Sequence, residues 1–429
     1  MKKSLLISLL VLLLTMGMAL TISAQEGDFR LTWWGGQTRH DQTFELIEMF
    51  EEQNPGINVE PHYTSWGGYW DVMYTQAAAD NLPDAFQHVR RYLGTWVAED
   101  RLLDLQPYVD DGSLNLNDIP AEVIDSGRYD GKLVGIPTGV NALAVIYNKA
   151  LLEEAGIETP IDPEWTWEEY LEIARTVNEE TGVYASNAVN KVDTVGSLQI
   201  YLRQHGKALI NEEGDGLGYD DDDLFAEWLN LDIQLMEEGV IPSTDVRMEW
   251  EGEVENHPVT DGRAAMAMTH WSNQFTAIYN GADEDIKENL AMTVIPNKKA
   301  QRQPGLFVKP AMLWTVSANA ENPEAAIEWL NFYNHDVEAH KLMRGERGIP
   351  ISNVIRGEIA DVLTEADQVM FDYLNLAEEM AGPSRPEMPE AFEQIGDVLE
   401  EVCHEVLFGY NTPEMAAYEF RMRVEALLQ

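Results

Sequence analysis

The chain has 429 residues, of which 75 are acidic and 28 are basic, so its formal net charge is −47 at pH 7. Such an acidic surface repels polyanions, which excludes nucleic acid and anionic membranes as partners. The length exceeds the roughly 250 to 300 residues that one hydrophobic core supports, so we expect two domains. Cys403 is the single cysteine, and an internal disulfide is therefore excluded.

The N-terminus has the pattern of an export signal. Lys2 and Lys3 precede the apolar run 5–14, and small and hydroxylated residues follow as far as Ala24. This order predicts a signal peptide at 1–24. Gln25 stands where a bacterial lipoprotein has its cysteine, so we expect no lipid anchor. The sequence therefore predicts a free periplasmic protein.

The predicted mature chain begins with an α/β pattern. Apolar residues alternate through 29–33, recur with helical spacing through 44–50, and are followed by the helix stop Asn54-Pro55-Gly56. Another strand is predicted at 57–63, which completes a strand, helix, strand unit. Binding loops of such sheets follow the carboxyl ends of the strands, and segment 33–40 has that position.

Local signals continue along the chain. Thr166 and Glu169 have the spacing of a capping box at the start of a helix. The polar, glycine-rich segment 211–223 is interpreted as a turn before a helix at Leu224, because it lacks the spacing of a calcium loop. The other predicted elements are strands at 133–137, 142–147, 291–295 and 313–316, a helix from Pro323 to Phe332, and a helical C-terminal region interrupted at 382–386.

Motifs of the common enzyme classes do not occur in the sequence. There is no G-x-S-x-G elbow, no phosphate-binding P-loop and no H-E-x-x-H pair. We therefore predict a non-catalytic protein without catalytic residues, metal ligands or a cofactor. A secreted glycoside hydrolase or polysaccharide lyase stays open as the alternative, because two suitably spaced carboxylates suffice for glycoside cleavage.

Polar loops that contain aromatic residues occur at 33–40, 65–70 and 269–274. A sugar ring offers an apolar face to an indole and a rim of hydroxyls to amides, so such loops favour carbohydrate binding. Any single tryptophan is at least as often a core residue. Core-packing roles are expected for Trp33, Trp314 and Trp329.

Short sequence motifs, distributed over nearly the whole predicted mature chain, together resemble those of one protein family. They are 31–50 with 54–57, 135–137 with 142–149, 167–169, 262–268, 322–326 and 348–350. In this order and spacing, the sequence resembles the extracellular solute-binding proteins, family 1, of sugar ABC importers.

The resemblance implies an α/β, two-lobed periplasmic binding protein fold of type II-like topology, with discontinuous lobes joined by crossing strands. The predicted lobes are 25–138 with 297–333, and 139–296 with 334–429. The predicted crossings lie near 142–149, 294–296 and 332–333.

The resemblance also implies a function. The chain would be the extracytoplasmic substrate-binding component of an ABC importer, which holds a carbohydrate in the interlobe cleft and delivers it to the permease by hinged closure. Its expected partners are the small carbohydrate ligand, an oligosaccharide by preference, and the transmembrane permease subunits. We expect a monomer. Binding of a uronide, a peptide or a polyamine by the same fold stays open.

Carried over residue by residue, the resemblance implies a ligand site with contributions from both lobes. Arg90 and Arg91 are not included, since we expect them to form surface ion pairs with nearby acids. The implied ligand-binding residues are Gln37, Arg39, His40, Trp66, Tyr69, Gln87, Asn141, Trp271, Asn273, Met312 and Arg347.

Arg39 and His40 are the candidates for setting the charge preference of this site. The planar guanidinium of Arg39 matches a sugar carboxylate, and a protonated His40 would add a second donor. In the alternative, Asp41 or Glu45 neutralises Arg39, and the pair merely caps the following helix.

The excess of negative charge generates a prediction about salt. Repulsion between like charges destabilises the folded state most at low ionic strength, where the Debye length is about 30 Å at 0.01 M. We expect the melting temperature to rise as sodium chloride is added to dilute buffer. A melting temperature that stays constant up to about 1 M salt would contradict this expectation.

Overall fold

The computed structural model describes residues 27–190, 195–250, 254–298, 305–382, 389 and 391–429. The signal peptide predicted at 1–24 and most of the interruption predicted at 382–386 therefore lie outside the described residues. Within the described part, no helix is long and apolar enough to cross a membrane.

The strands of the described chain are numbered in order. They are β1 (Gly27–Trp34), β2 (Ile57–Thr64), β3 (Ala85–His88), β4 (Arg128–Tyr129), β5 (Lys132–Leu133), β6 (Ile136–Pro137), β7 (Val140–Asn141), β8 (Leu143–Asn148), β9 (Tyr184–Ser186), β10 (Ala264–Trp271), β11 (Leu290–Thr293), β12 (Lys309–Pro310) and β13 (Leu313–Val316).

Helices make up most of the remaining structure. The α-helices are Gln37–Gln53, Trp66–Ala78, Leu93–Ala98, Gln106–Asp110, Ala121–Asp125, Lys149–Glu154, Trp167–Thr181, Val195–Gln204, Asp223–Glu237, Thr244–Glu249, Gln274–Gly281, Glu284–Lys287, Pro323–His335, Val337–Met343, Asn353–Glu358, Glu365–Met380, Phe392–Leu407 and Pro413–Leu427. Short 3₁₀ turns lie at Arg90–Tyr92, Val254–Asn256 and Ala360–Val362.

A five-stranded sheet in the order β2-β1-β3-β13-β6 is the centre of the first lobe. β1 is parallel to β2 and β3, and β13 returns antiparallel to β3 and β6. The alternating residues Phe29, Leu31 and Trp33 are fully buried, and Phe29 packs 6.4 Å from the ring of Trp329. Each such burial stabilises the fold by about 1.5 to 3 kcal/mol.

The second lobe is built on a four-stranded sheet in the order β11-β8-β10-β9. β8 is buried along its whole length between β10 and β11, with which it pairs antiparallel. The helix Pro413–Leu427 packs on both Phe392–Leu407 and Asp223–Glu237. The C-terminal helices therefore belong to this lobe.

Several local predictions are confirmed. Thr166 accepts a hydrogen bond from the Glu169 amide, and the Glu169 carboxylate accepts one from the Thr166 amide, which is a capping box. Segment 211–223 forms a turn, in which the Asn211 side chain accepts from the Gly214 and Asp215 amides. The side chains predicted to pack in the core, Trp33, Trp314 and Trp329, are buried.

Three segments pass between the lobes and lie side by side. β7 pairs antiparallel with β12, and Val140 forms a β-bridge with Ile349. A Cβ atom on Gly139 would lie 2.6 Å from the carbonyl carbon of Gly348, so the two backbones are in direct contact. Gly348 has a φ of +99°, which a glycine adopts without strain.

These crossings differ in position from those expected near 142–149, 294–296 and 332–333. β8 is fully paired inside the second sheet, and Asn297 stays in the second lobe through a hydrogen bond from its amide to the Trp165 carbonyl. Phe332 and Tyr333 lie in a helix that packs under the first sheet. The helix Val337–Met343 also packs on the first lobe, against Gln37–Gln53.

The contact between Gly139 and Gly348 leads to a stability prediction. We expect Gly139→Ala to lower the free energy of unfolding by about 1 to 3 kcal/mol, because the new methyl group would overlap backbone atoms that cannot rotate away. Denaturant unfolding followed by tryptophan fluorescence measures the change.

Gly357→Ala is the matched control, since a Cβ atom there meets nothing within 4 Å and the residue lies in the helix Asn353–Glu358. Alanine should be neutral or stabilising at that position. Equal effects of the two substitutions would show that the crossing has room for a methyl group.

Candidate functional site

A cleft of about 550 Å³ lies between the two lobes. Its first-lobe wall is formed by residues that follow the carboxyl ends of β1, β2 and β3, which is where sheets of this type bind ligands. Its second-lobe wall comes from the end of β10 and from the helix Phe392–Leu407, and β7 and β12 form the floor.

Stacked aromatic side chains form the first-lobe wall. The indole of Trp34 is buried and packs edge to face on Trp66 at 5.1 Å and on Tyr69 at 4.9 Å. Trp66 is 41% exposed, although it lies at the start of a helix in this cluster. Part of the Trp66 indole is therefore accessible from the cleft.

Trp271 and a pair of amides form the facing wall. The register of β10 shifts between Ala267 and His270, and Thr269 has a left-handed φ of 55°. Such a bulge re-aims the residues that follow it, and Trp271 and Asn273 line the cleft directly after it. Asn141 donates to the Asn273 carbonyl oxygen at 2.9 Å, which leaves the amino group of Asn273 available to a ligand.

Two cations in the cleft lie over aromatic rings. The Lys309 ammonium is 3.9 Å from the centre of the Trp271 ring, and the Arg91 guanidinium lies 5.4 Å from Trp66 and 4.6 Å from Tyr92. Neither makes an ion pair with a carboxylate among the described residues. Burial and the neighbouring Arg91 and Arg90 charges lower the pKa of Lys309 to about 8.

The expectation of a surface ion pair is therefore wrong for Arg91, which lines the cleft together with Arg90. The sequence offered one signal for this pair, since two consecutive arginines directly follow β3 in a very acidic chain. Lys309 was missed altogether. It lies in the short crossing strand β12, and nothing in its sequence neighbourhood places that strand at the floor of a cleft.

Arg39 has a different partner from those considered in the sequence. Its Nε and Nη2 atoms lie 2.7 to 3.0 Å from the Glu346 carboxylate, rather than near Asp41 or Glu45. Burial alone would raise the pKa of Glu346, but Arg39 and Arg347 together hold it below its usual value. The Arg39 guanidinium lines the cleft while it shares the Glu346 carboxylate with Arg347, whose Nη1 atom lies 3.7 Å from that carboxylate.

The other predicted site residues divide by position. Arg39, Trp66, Asn141, Trp271, Asn273 and Met312 line the cleft. The lining does not include Gln37, His40, Tyr69, Gln87 and Arg347.

Most of the residues behind the lining support it. The Tyr69 hydroxyl donates to the Gln87 carbonyl at 2.6 Å, and the Gln87 amide donates to the Met312 sulfur. Buried His40 accepts a hydrogen bond from the Trp33 indole, and burial with the adjacent Arg39 charge lowers the pKa of this imidazole. His40 is therefore neutral at pH 7 and is not the second cation expected.

Among the described lining residues, the carboxylates come from the second lobe. Glu393, Asp397 and Glu400 have the spacing of one helix face on Phe392–Leu407. Burial, followed by the Asp397 charge, raises the pKa of Glu393, which also accepts a hydrogen bond from Tyr74 of the first lobe at 3.3 Å. These acids could not be singled out in a sequence with 75 of them.

Comparison with known proteins agrees with this architecture. A family model described as bacterial extracellular solute-binding protein matches residues 45–359. A family 1 extracellular solute-binding protein from Alicyclobacillus acidocaldarius is 26% identical, with a TM-score of 0.70 over 94% of this chain and 99% of that one.

Two further similar proteins have named ligands. A periplasmic oligogalacturonide binding protein from Yersinia enterocolitica, solved with saturated digalacturonic acid, is 25% identical, with a TM-score of 0.80 over 94% of this chain and 98% of that one. An arabinooligosaccharide-binding protein from Halalkalibacterium halodurans is 33% identical over 112 residues, which are 24% of each chain. The predicted two-lobed periplasmic binding protein fold is thus confirmed, and the chain belongs to the bacterial extracellular solute-binding proteins.

Proposed function

We propose that this protein is the extracytoplasmic binding subunit of an ABC importer and that it carries a carbohydrate in the interlobe cleft. The observation that carries the proposal is the exposed indole of Trp66 in the same cleft as the amides of Asn141 and Asn273. We further propose export to the periplasm, a monomeric state and delivery of the ligand to membrane permease subunits.

The chemistry of the lining suits a saccharide. An indole face packs against the C–H face of a sugar ring, and amides hydrogen-bond to its hydroxyls in both directions. A cavity of about 550 Å³ is in the size range of small-molecule sites and has room for a short oligosaccharide. The similar proteins from Yersinia and Halalkalibacterium are both named for oligosaccharides.

Closure follows from the way the lobes are joined. A ligand shifts an equilibrium between open and closed forms only by its differential affinity for them, so it must contact both lobes. Trp66 and Arg91 come from the first lobe, and Trp271 and Asn273 come from the second. The crossing at Gly139 and Gly348 is then the hinge of the motion, as in periplasmic binding proteins generally.

The glycosidase alternative fits the cleft less well. Glycoside hydrolysis needs two carboxyl groups on either side of the scissile bond. Among the described lining residues, all carboxylates come from the helix Phe392–Leu407 on one wall, while the other wall and the floor carry cations. Glu346, the nearby acid of the first lobe, is held by Arg39. Binding without chemistry is therefore the better interpretation.

Within this proposal, the predicted site residues have two roles. Arg39, Trp66, Asn141, Trp271, Asn273 and Met312 contact the ligand. Tyr69, Gln87, His40 and Arg347 hold the lining in place from behind, and Gln37 lies at the exposed rim, where it donates to Asp41.

The first prediction is that one class of saccharide binds with micromolar or tighter affinity, corresponding to about −8 kcal/mol, and is recovered unchanged. Isothermal calorimetry across neutral and acidic oligosaccharides measures the affinity, and mass spectrometry of the recovered ligand tests for turnover. A cleaved or eliminated product would favour the enzymatic alternative. Absence of binding to every saccharide would remove the carbohydrate assignment.

The second prediction concerns the exposed indole. We expect Trp66→Ala to weaken saccharide binding by about 1 to 2 kcal/mol, roughly 5- to 30-fold, because the aromatic face is lost while the fold remains. Trp250→Ala is the matched control, since Trp250 lies outside the cleft beneath Arg263 at 5.0 Å. Calorimetry on both variants decides the question. Similar losses in both would place the ligand elsewhere.

A further inference from the structure

The cleft concentrates positive charge in a very acidic protein. Arg91 and Lys309 line the cleft, and neither has a carboxylate at ion-pair distance within the described chain, although the sequence contains 75 acids and 28 bases. Each cation lies over an aromatic ring instead. A cation–π contact stabilises by roughly 0.5 to 2 kcal/mol and does not neutralise the charge. Burial raises the pKa of Glu393 and the Arg91 charge opposes that rise, but the two side chains form no ion pair among the described residues.

We propose that the saccharide is anionic and that Arg91 and Lys309 together bind its carboxylate. This inference rests on the proposed carbohydrate function and names the class of sugar. Arg91 supplies the planar fork that matches a carboxylate, and Lys309 adds a point charge from the floor of the cleft. The two come from different segments, the 3₁₀ turn Arg90–Tyr92 and β12.

Arg39, the residue that the sequence favoured for recognising a sugar carboxylate, differs from Arg91 and Lys309 in its ion pairing. Arg39 is paired with Glu346 at 2.7 Å, so a sugar carboxylate would have to compete with a carboxylate of the protein. Arg91 and Lys309 make no ion pair with a carboxylate among the described residues, although the Arg91 charge acts on Glu393. Arg39 is then a shape-determining residue of the same wall.

Electrostatics inside the cleft support the assignment. Burial and the charges of Arg91 and Arg90 lower the pKa of Lys309 to about 8, so an anion placed among these cations would raise it again. The acids Glu393, Asp397 and Glu400 line the cleft from the helix Phe392–Leu407. Glu393 lies close to Arg91, whose charge opposes the rise in the pKa of Glu393 that burial causes. We therefore place the sugar carboxylate between Arg91 and Lys309, on the side of Arg91 away from Glu393.

The test compares matched acidic and neutral sugars by calorimetry. The probes are di- and trisaccharides of galacturonate and glucuronate, with their galactose and glucose counterparts and arabinose oligosaccharides. We expect an acidic sugar to bind at least tenfold more tightly than its neutral counterpart, with an affinity that falls as salt rises. Arg91→Gln and Lys309→Gln should each weaken binding of the acidic sugar at least tenfold more than binding of its neutral counterpart.

The control variants remove a charge outside the cleft. Arg263→Gln changes an arginine that also stacks on a tryptophan but pairs with Asp261, and Lys132→Gln changes an exposed lysine 3.6 Å from Asp100. Neither should alter the affinity for the acidic sugar. A loss in these controls equal to that in the cleft variants would overturn the assignment, because it would report net charge alone.

The possible outcomes distinguish a failure of the anionic-sugar assignment from a failure of the proposed carbohydrate-binding function. A neutral sugar that binds as tightly as its acid, or unchanged acid binding in both cleft variants, overturns the anionic assignment and leaves carbohydrate binding intact. Binding of a polyamine with no saccharide binding overturns both and assigns the site to the acidic helix.

Wild-type protein provides a second readout if a variant fails to fold. At pH 8 the bound carboxylate should raise the pKa of Lys309 and cause net proton uptake. Calorimetry in buffers of different ionisation enthalpy measures that uptake, and neutral sugars provide the baseline. The same enthalpy in all buffers for an acidic sugar would contradict direct contact between Lys309 and the carboxylate.

Discussion

The close approach of two glycine backbones is the constraint on which the two-lobed structure depends. Gly139 and Gly348 touch where the chain passes between lobes, and Val140 bridges to Ile349 beside them. With no side chain between them, the two glycine backbones lie in direct contact, while Val140 and Ile349 beside them are buried in the core. Each lobe keeps its own sheet, and buried apolar residues of both lobes belong to one continuous cluster.

The same junction places two polar side chains at the floor of the cleft. β7 and β12 pair at the crossing, which places Asn141 and Lys309 beside each other although they are far apart in sequence. Trp271 reaches this floor because a bulge in β10 redirects the residues after Thr269. The lining is thus assembled by the crossing and by one irregular strand, whereas the first-lobe wall is assembled by regular strand ends.

Charge is distributed unevenly across this cleft. The first lobe and the floor contribute Arg91 and Lys309, and the second lobe contributes the acids of Phe392–Leu407. The helix Phe392–Leu407 contacts the turn Arg90–Tyr92, and the Arg91 charge acts on the Glu393 carboxyl. No ion pair joins Arg91 and Glu393 among the described residues, whereas Arg39 and Glu346 pair within the first lobe. A ligand in this cleft therefore meets groups of both signs, and its own charge decides which of them attract it.

The sequence by itself determined the periodic elements, the capping box at Thr166 and the family resemblance, because these depend on local spacing. It also identified the loops that carry Trp66, Trp271 and Asn273, because aromatic residues clustered among polar ones can be recognised from the sequence alone. Only the tertiary structure decided which charged side chains form ion pairs and which do not. An ion pair such as Arg39 with Glu346 joins residues about three hundred positions apart, and the isolation of Lys309 depends on where every acid lies in space.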